Sequence, residues 1–133
     1  MTFLLDTHVW IWSQEAPEKL GRRTTRLMTD LRNALYVSTV STLEIARLSK
    51  DGTITLSGSI SSWVSETLDA LSCGTIEISH PIAIAAYSLP GNFHKDPADR
   101  LLVATARIHE LTLITMDERI LRYSHVRSQD ARM

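Results

Sequence analysis

Apolar residues along this chain follow two rhythms. Short runs rich in apolar residues at Phe3-Leu4-Leu5 and at residues 35–38, 75–78 and 111–115 have the length of strands. Between them, apolar residues recur at helical spacing. Residues 7–12 are too apolar for a loop and read as a short buried or partner-covered helix. Residues 17–32 read as one helix, with Leu20, Leu27, Met28 and Leu31 on one side and Lys19, Arg22, Arg23 and Arg26 on the other. Residues 41–50 form a second strong helix with Asp51-Gly52 as its stop, and residues 53–56 a weak extended piece. Ile60, Trp63, Val64, Leu68 and Leu71 make the stripe of a helix over 59–71, and an alanine-rich helix over 81–89 stops at Pro90-Gly91. Asp96-Pro97 then opens a helix of small and aliphatic residues that includes Leu101, Leu102, Ala104, Thr105, Ala106 and Ile108. A short helix over 118–122 follows, Val126 opens a last short strand, and residues 128–133 read as frayed. The alternation of strands with helix pairs predicts an α/β fold, a mostly parallel sheet with helices on both faces and right-handed crossovers.

Composition narrows the options. A chain of 133 residues, 44% hydrophobic and 22% charged, is one ordinary globular domain with a real core. A formal charge of −1 gives no global attraction to nucleic acid, so such a partner requires a local basic patch. The single Cys73 excludes an internal disulfide and a cysteine-rich zinc site, and it reads as a small buried hydrophobe. No apolar run is long enough to span a bilayer and no signal-peptide pattern opens the chain, which makes the cytoplasm the expected location.

The candidate chemistry lies in four acids. Asp6 ends the first strand, Glu44 lies in the first turn of the helix after the second, Asp99 in the first turn after Asp96-Pro97, and Asp117 just past the strand over 111–115. A parallel sheet brings all these positions to one edge, where α/β proteins place ligands. Carboxylates that close repel, and a hard divalent cation such as Mg²⁺ or Mn²⁺ removes the conflict. That ion could serve in-line hydrolysis of a phosphodiester. Each acid also has a structural reading. Ser41-Thr42-Leu43-Glu44 matches a capping box, Asp99 favours the positive end of a helix dipole, and Asp6 and Asp117 can cap the helices that follow them. Singly, each acid is more simply a cap. Periodicity alone leaves the two readings close to even.

The order of motifs resembles the PIN-domain family, specifically its VapC-type toxin ribonucleases. Leu4-Leu5-Asp6-Thr7-His8-Val9-Trp10 is similar to the first motif, and Val37-Ser38 through Ser41-Thr42-Leu43-Glu44-Ile45-Ala46 to the second. His94-Lys95-Asp96-Pro97-Ala98-Asp99-Arg100 with the following Leu101 to Ala106 is similar to the third, and Leu113-Ile114-Thr115-Met116-Asp117 to the fourth. The resemblance implies a PIN-like nuclease domain over 1–127, with 128–133 a flexible tail. It further implies Asp6, Glu44, Asp99 and Asp117 as the catalytic quartet holding Mg²⁺ or Mn²⁺, with Thr115 as the hydroxyl beside the metal. Asp96 matches an extra acid, although helix capping suits it better. The expected partners are an RNA substrate, a VapB-type antitoxin whose C-terminal segment occupies the groove, and a second copy in a homodimer. Some relatives carry a lysine one turn after the Glu44 position, where this chain has Leu48.

Other features are weaker. Arg100 and Lys95 are candidates to seat a phosphate, while the basic face over 19–26 is more simply a solvated helix surface. His8, nearest the acids, suits packing better than metal ligation. Trp10 and Trp12 suit core or dimer packing better than base stacking, and Trp63 suits the core or an antitoxin-facing surface. Two rivals to the nuclease reading stand: a non-catalytic PIN-like protein- or RNA-binding module whose acids serve structure or recognition, and a receiver-type phosphotransfer domain, which lacks here its early acid pair and late lysine.

Overall fold

The structure is a computed structural model describing residues 1–133. Five strands form one sheet: β1 (Thr2–Leu5), β2 (Ala34–Ser38), β3 (Gly74–Ile76), β4 (Thr112–Thr115) and β5 (Ser128–Asp130). Their order is β3-β2-β1-β4-β5 and every pairing is parallel. The chain winds outward from β1 to β3, then returns to place β4 on the other side of β1. The crevice at this reversal, beyond the carboxyl ends of β1 and β4, is where such sheets bind ligands.

Seven helices cover the sheet: α1 (Thr7–Glu15), α2 (Arg22–Thr29), α3 (Thr39–Lys50), α4 (Ile60–Leu71), α5 (His80–Ala85), α6 (Pro97–Ile108) and α7 (Glu118–Leu121). Alternation along β1 divides the core between the two faces. Phe3 and Leu5 pack with Leu35, Val37 and Ile114 against Trp10, Ile45 and Trp63 from the helices. Leu4 faces the other way, with Leu113, against Leu102, Val103, Ala106 and Ile120. Leu113 is fully buried, and its truncation to alanine would cost about 2–5 kcal/mol, the usual range for a close-packed leucine. Trp10 is likewise fully buried, stacks at 5.4 Å on Trp63 and donates its indole N–H to Thr67 Oγ1 at 2.9 Å. Both tryptophans are therefore core residues. Cys73 packs at the margin of the same layer, where burial pushes its thiol up to about 12 and removes it as a nucleophile.

Three stretches differ from their sequence patterns. The helix expected over 17–32 is a single 3₁₀ turn at Pro17–Lys19 followed by α2. The break falls at Gly21, whose N–H donates to the Ala131 carbonyl, and a Cβ there would sit 2.2 Å from the carbonyl carbon of Met133. Only glycine admits this approach. Residues 53–56 form no strand, because the Thr53 and Ile54 amides both donate to the Leu48 carbonyl and close the end of α3. The tail expected over 128–133 is instead part of the domain. β5 pairs with β4, Ala131 is fully buried, and Thr24 donates its N–H and hydroxyl to the Met133 carbonyl. Backbone pairing, not side-chain hydrophobicity, recruits Ser128-Gln129-Asp130 to the sheet.

Candidate functional site

The four predicted acids line one cleft of about 320 Å³ at the reversal point, together with His8, Asp96, Met116 and Arg119. Asp6 and Asp117 arrive from adjacent strand ends, because Leu5 is in register with Ile114. Asp6 is the N-cap of α1, with Oδ1 accepting from the Thr7 N–H at 2.7 Å. Its other oxygen accepts from Thr115 Oγ1 at 2.6 Å, and that hydroxyl in turn accepts from the Asp117 N–H at 3.0 Å. Thr115 thus ties two of the acids together. Asp117 caps α7 by accepting from the Arg119 N–H at 2.8 Å.

Glu44 is not part of a capping box. α3 begins at Thr39 with Ser38 as its cap, so Glu44 lies in the second turn and its carboxylate leaves the helix. Thr7 Oγ1 lies 2.7 Å from Glu44 Oε1 and 2.9 Å from Ser41 Oγ. Its single proton goes to the carboxylate, and Ser41 donates to it in turn. Asp96 caps α6, accepting from the Ala98 and Asp99 amides at 2.9 and 3.3 Å. Asp99 therefore has no capping duty. Three hydroxyls and several backbone amides hold the acids in place without cancelling their charge.

The electrostatics follow from that arrangement. Burial, and then the charges of Asp6, Asp96, Asp117 and Glu44, push the Asp99 carboxyl up to about 8. A helix-dipole role alone would lower it. Burial also raises the Asp6 carboxyl, against the opposing hydrogen bonds from Thr115 and Thr7. Asp117 goes the other way: burial works against ionisation, but hydrogen bonds and charge from Arg119 prevail and hold it low. The guanidinium reaches Asp117 Oδ2 at 3.2 Å and lies 3.9 Å from Asp99 Oδ2.

Two neighbours of the acids have roles that the sequence pattern does not assign: Arg119, and His94, which opens the third motif. Arg119 follows Asp117 by two residues, a spacing at which a capping aspartate can bind both the backbone and side chain of the arginine. His94 sits on the loop before α6. Its Nε2 is 3.0 Å from Asp99 Oδ2 but off the hydrogen-bonding direction, and this buried nitrogen has no other partner. Burial, followed by the charge of Arg119, lowers its pKa below the usual imidazole value. One ligand atom each from His94, Asp99 and Asp117 lie within 4.8 Å of one another. The Asp96 N–H donates to His94 Nδ1 at 3.4 Å, so Nε2 is a ligand only in the other tautomer, while the two carboxyls, Asp99 raised and Asp117 held low, are oxygen donors suited to a divalent cation.

Arg100 does not seat a phosphate. Its Nε donates to the His94 carbonyl at 2.9 Å, Nη1 to Ala86 at 3.0 Å and Nη2 to Phe93 at 2.8 Å. The guanidinium staples the loop that delivers His94, a geometry only its planar fork provides. Lys95 is exposed and makes no ion pair, and the basic side chains of α2 line no part of the cleft. His8 is exposed at the cleft rim, with its ring 6.3 Å from Trp12.

Known proteins are similar to this chain in sequence and in fold. The sequence profile of the PIN domain matches residues 3–126. The chain is 33% identical over 126 residues to Ribonuclease VapC22 of Mycobacterium tuberculosis, covering 95% of each chain. Among solved structures, VapBC2 from Rickettsia felis bound to a promoter DNA fragment superposes with a TM-score of 0.65 at 15% identity, covering 97% of this chain and 98% of that one. FitAcB from Neisseria gonorrhoeae gives a TM-score of 0.63 at 22% identity over 98% of both chains. The five-stranded parallel sheet, the acids gathered at its point of reversal and a match that spans nearly the whole sequence agree: this chain belongs to the PIN-domain family.

Proposed function

We propose that the protein is a metal-dependent endoribonuclease serving as the toxin of a VapBC-type pair. One observation carries the chemistry: five carboxylates line a cleft in which Arg119 is the only Lys or Arg side chain, and burial with that acid surplus raises the Asp99 carboxyl. The biological role is supported by the likeness to Ribonuclease VapC22.

In this reading Asp6, Glu44, Asp99 and Asp117 hold Mg²⁺ or Mn²⁺, directly or through water. The ion, when bound, acidifies a water and offsets charge on the phosphate. The chain supplies the rest. Thr115 and the Thr7 amide orient Asp6 through separate oxygens, and the Thr7 hydroxyl orients Glu44. Asp99, raised by burial and its acid neighbours, would have to give up its proton to serve as a ligand, which would couple loading to pH. Arg119 stands at the rim, where it can leave Asp117 for a substrate phosphate. His94 forms the wall beside Asp99, and Arg100 keeps it there.

A VapB-type antitoxin, a homodimer and a cytoplasmic location complete the proposal. No helix is long and apolar enough to cross a membrane. The test is cleavage of structured and single-stranded RNA with Mg²⁺ or Mn²⁺. Cleavage that EDTA abolishes and Asp6→Asn removes without unfolding is the expected result. Activity that survives the chelator would rule the mechanism out.

A further inference from the structure

The acid cleft has two neighbouring hollows of opposite chemistry. One, of about 530 Å³, lies between α3 and α6 and is lined by Val40, Leu43, Pro97 and Leu101, with Glu44 and Asp96 on its border with the cleft and Arg47 as its only cation. Arg47 is paired with Asp51 at 3.4 Å. The other, of about 400 Å³, opens on the far side of His94 and is lined by Asn92, Arg119, Arg122 and His125. Phe93 and Tyr123, tilted at 4.8 Å from each other, also line it, and no acid does. Arg119 borders both this hollow and the acid cleft.

A polyanion crossing five carboxylates is repelled wherever no metal screens it, and it needs cations within about a Debye length, roughly 8 Å in physiological salt. The apolar hollow offers a phosphate only Arg47, beside the Glu44 and Asp96 carboxylates and already paired with Asp51. The basic one offers Arg122, whose side chain is 82% exposed and paired at 3.8 Å with the exposed Glu118, and Arg119, which holds Asp117 at 3.2 Å on the shared border. Asn92 and His125 are exposed and able to donate to or accept from a base or ribose. The walls are pre-formed. Tyr123 donates its hydroxyl to the Pro90 carbonyl, Arg100 fixes Phe93 and His94, and Gly91 turns the loop at φ 66°.

We propose that this hollow is a nucleotide subsite: it receives the RNA residue adjoining the scissile phosphate, with the flanking phosphate on Arg122 and Arg119. The assignment rests on the ribonuclease reading and names which side of the cleft the strand uses. It also makes Arg122, outside the acid cluster, a determinant of substrate affinity.

Steady-state cleavage of one RNA by wild type, Arg122→Gln and the charge-matched control Arg32→Gln tests it, with each KM measured across a range of salt. Arg32 sits on the surface paired with Asp30, outside both hollows. Arg122→Gln should raise KM about tenfold, the effect of one charge-assisted contact, and far more than it changes kcat. It should also flatten the log–log salt dependence by about 0.7, one phosphate contact on a single strand. Arg32→Gln should match wild type in both. Shortening the RNA from one end toward the cut should erase the difference between wild type and Arg122→Gln once the adjoining nucleotide is gone. A KM and salt slope unchanged by Arg122→Gln at every RNA length would overturn the subsite while leaving the nuclease reading intact. If wild type cleaves no RNA, that reading fails instead, and anisotropy with the same labelled RNA decides the subsite: weaker binding by Arg122→Gln supports it, equal binding overturns it.

Discussion

Two regions of this protein concentrate charge, and they resolve it in opposite ways. At the corner where β5 meets α7, Asp130 accepts from the Arg132 backbone N–H at 2.9 Å and pairs with its guanidinium, which also reaches Glu118 at 2.7 Å. Arg132 holds the Asp130 carboxyl below its usual range. Asp117 and Arg119 repeat the same Asp-x-Arg geometry at the end of β4. There, however, one arginine faces five carboxylates, and the Asp99 carboxyl rises to about 8. The local turn is the same; the surplus of acid is not. A balanced corner fastens residues 130–132 to α7, while an unbalanced cleft stores repulsion that a cation would relieve.

The contrast can be broken at its strongest point with Asp99→Asn. Cleavage should fall by about a thousandfold, well beyond the 10–100-fold typical of an outer-shell change. The metal-free variant should nonetheless be as stable as wild type or more so, because a repelled carboxylate has gone. A large drop in Tm would mean that Asp99 is structural. The same logic sets the pH response of the metal-free protein. Asp99 is raised in the folded state from 3.8 to about 8, so the folded protein holds an extra proton across that window. Its contribution to stability is complete below about pH 4 and is lost as pH rises through 8. Asp130 and Asp117, held low, act in reverse and lose their contribution as the solution is acidified. Thermal melts from pH 5 to 8.5 should therefore show an alkaline decline that Asp99→Asn removes and saturating Mn²⁺ reverses.

Smaller effects sharpen the comparison. Thr115→Val keeps the shape but removes the bond to Asp6 and the acceptor for the Asp117 amide. Metal affinity measured by calorimetry should weaken by about 10–100-fold. Arg100→Lys preserves charge and loses the fork that fixes Phe93 and His94, so it should weaken Mn²⁺ binding several-fold and raise KM for RNA by a smaller factor than Arg122→Gln. A rise in KM alone would return Arg100 to the substrate. Least of all, Arg132→Ala should lower Tm by a few degrees with little effect on cleavage per folded molecule.

Much of this was legible in the residues. Asp6 and Asp117 sit where strands end and helices begin, and Asp96-Pro97 marks the start of α6 without ambiguity, which places Asp99. Glu44 lies in the second turn of α3 and not in the first, since the cap is Ser38, three residues before the Ser41 of the apparent capping box. The role of His94 was illegible because its position depends on a loop whose course is set by Arg100 bonding three distant carbonyls. β5 was missed because Ser128-Gln129-Asp130 has no apolar alternation, and its membership rests on backbone pairing alone. The break at Gly21 belongs with it, because the glycine answers to a C-terminus more than a hundred residues away. Pattern captures what neighbours in sequence dictate; these features are dictated by neighbours in space.

The most direct test is titration of metal-free protein with Mn²⁺ by calorimetry at pH 7 in buffers of different ionisation enthalpy. Saturable binding that releases protons, with Asp99→Asn losing both the affinity and the release, is the predicted result. An isotherm with no saturable site, or binding that Asp99→Asn leaves unaltered, would contradict the claim that these acids are gathered around a cation.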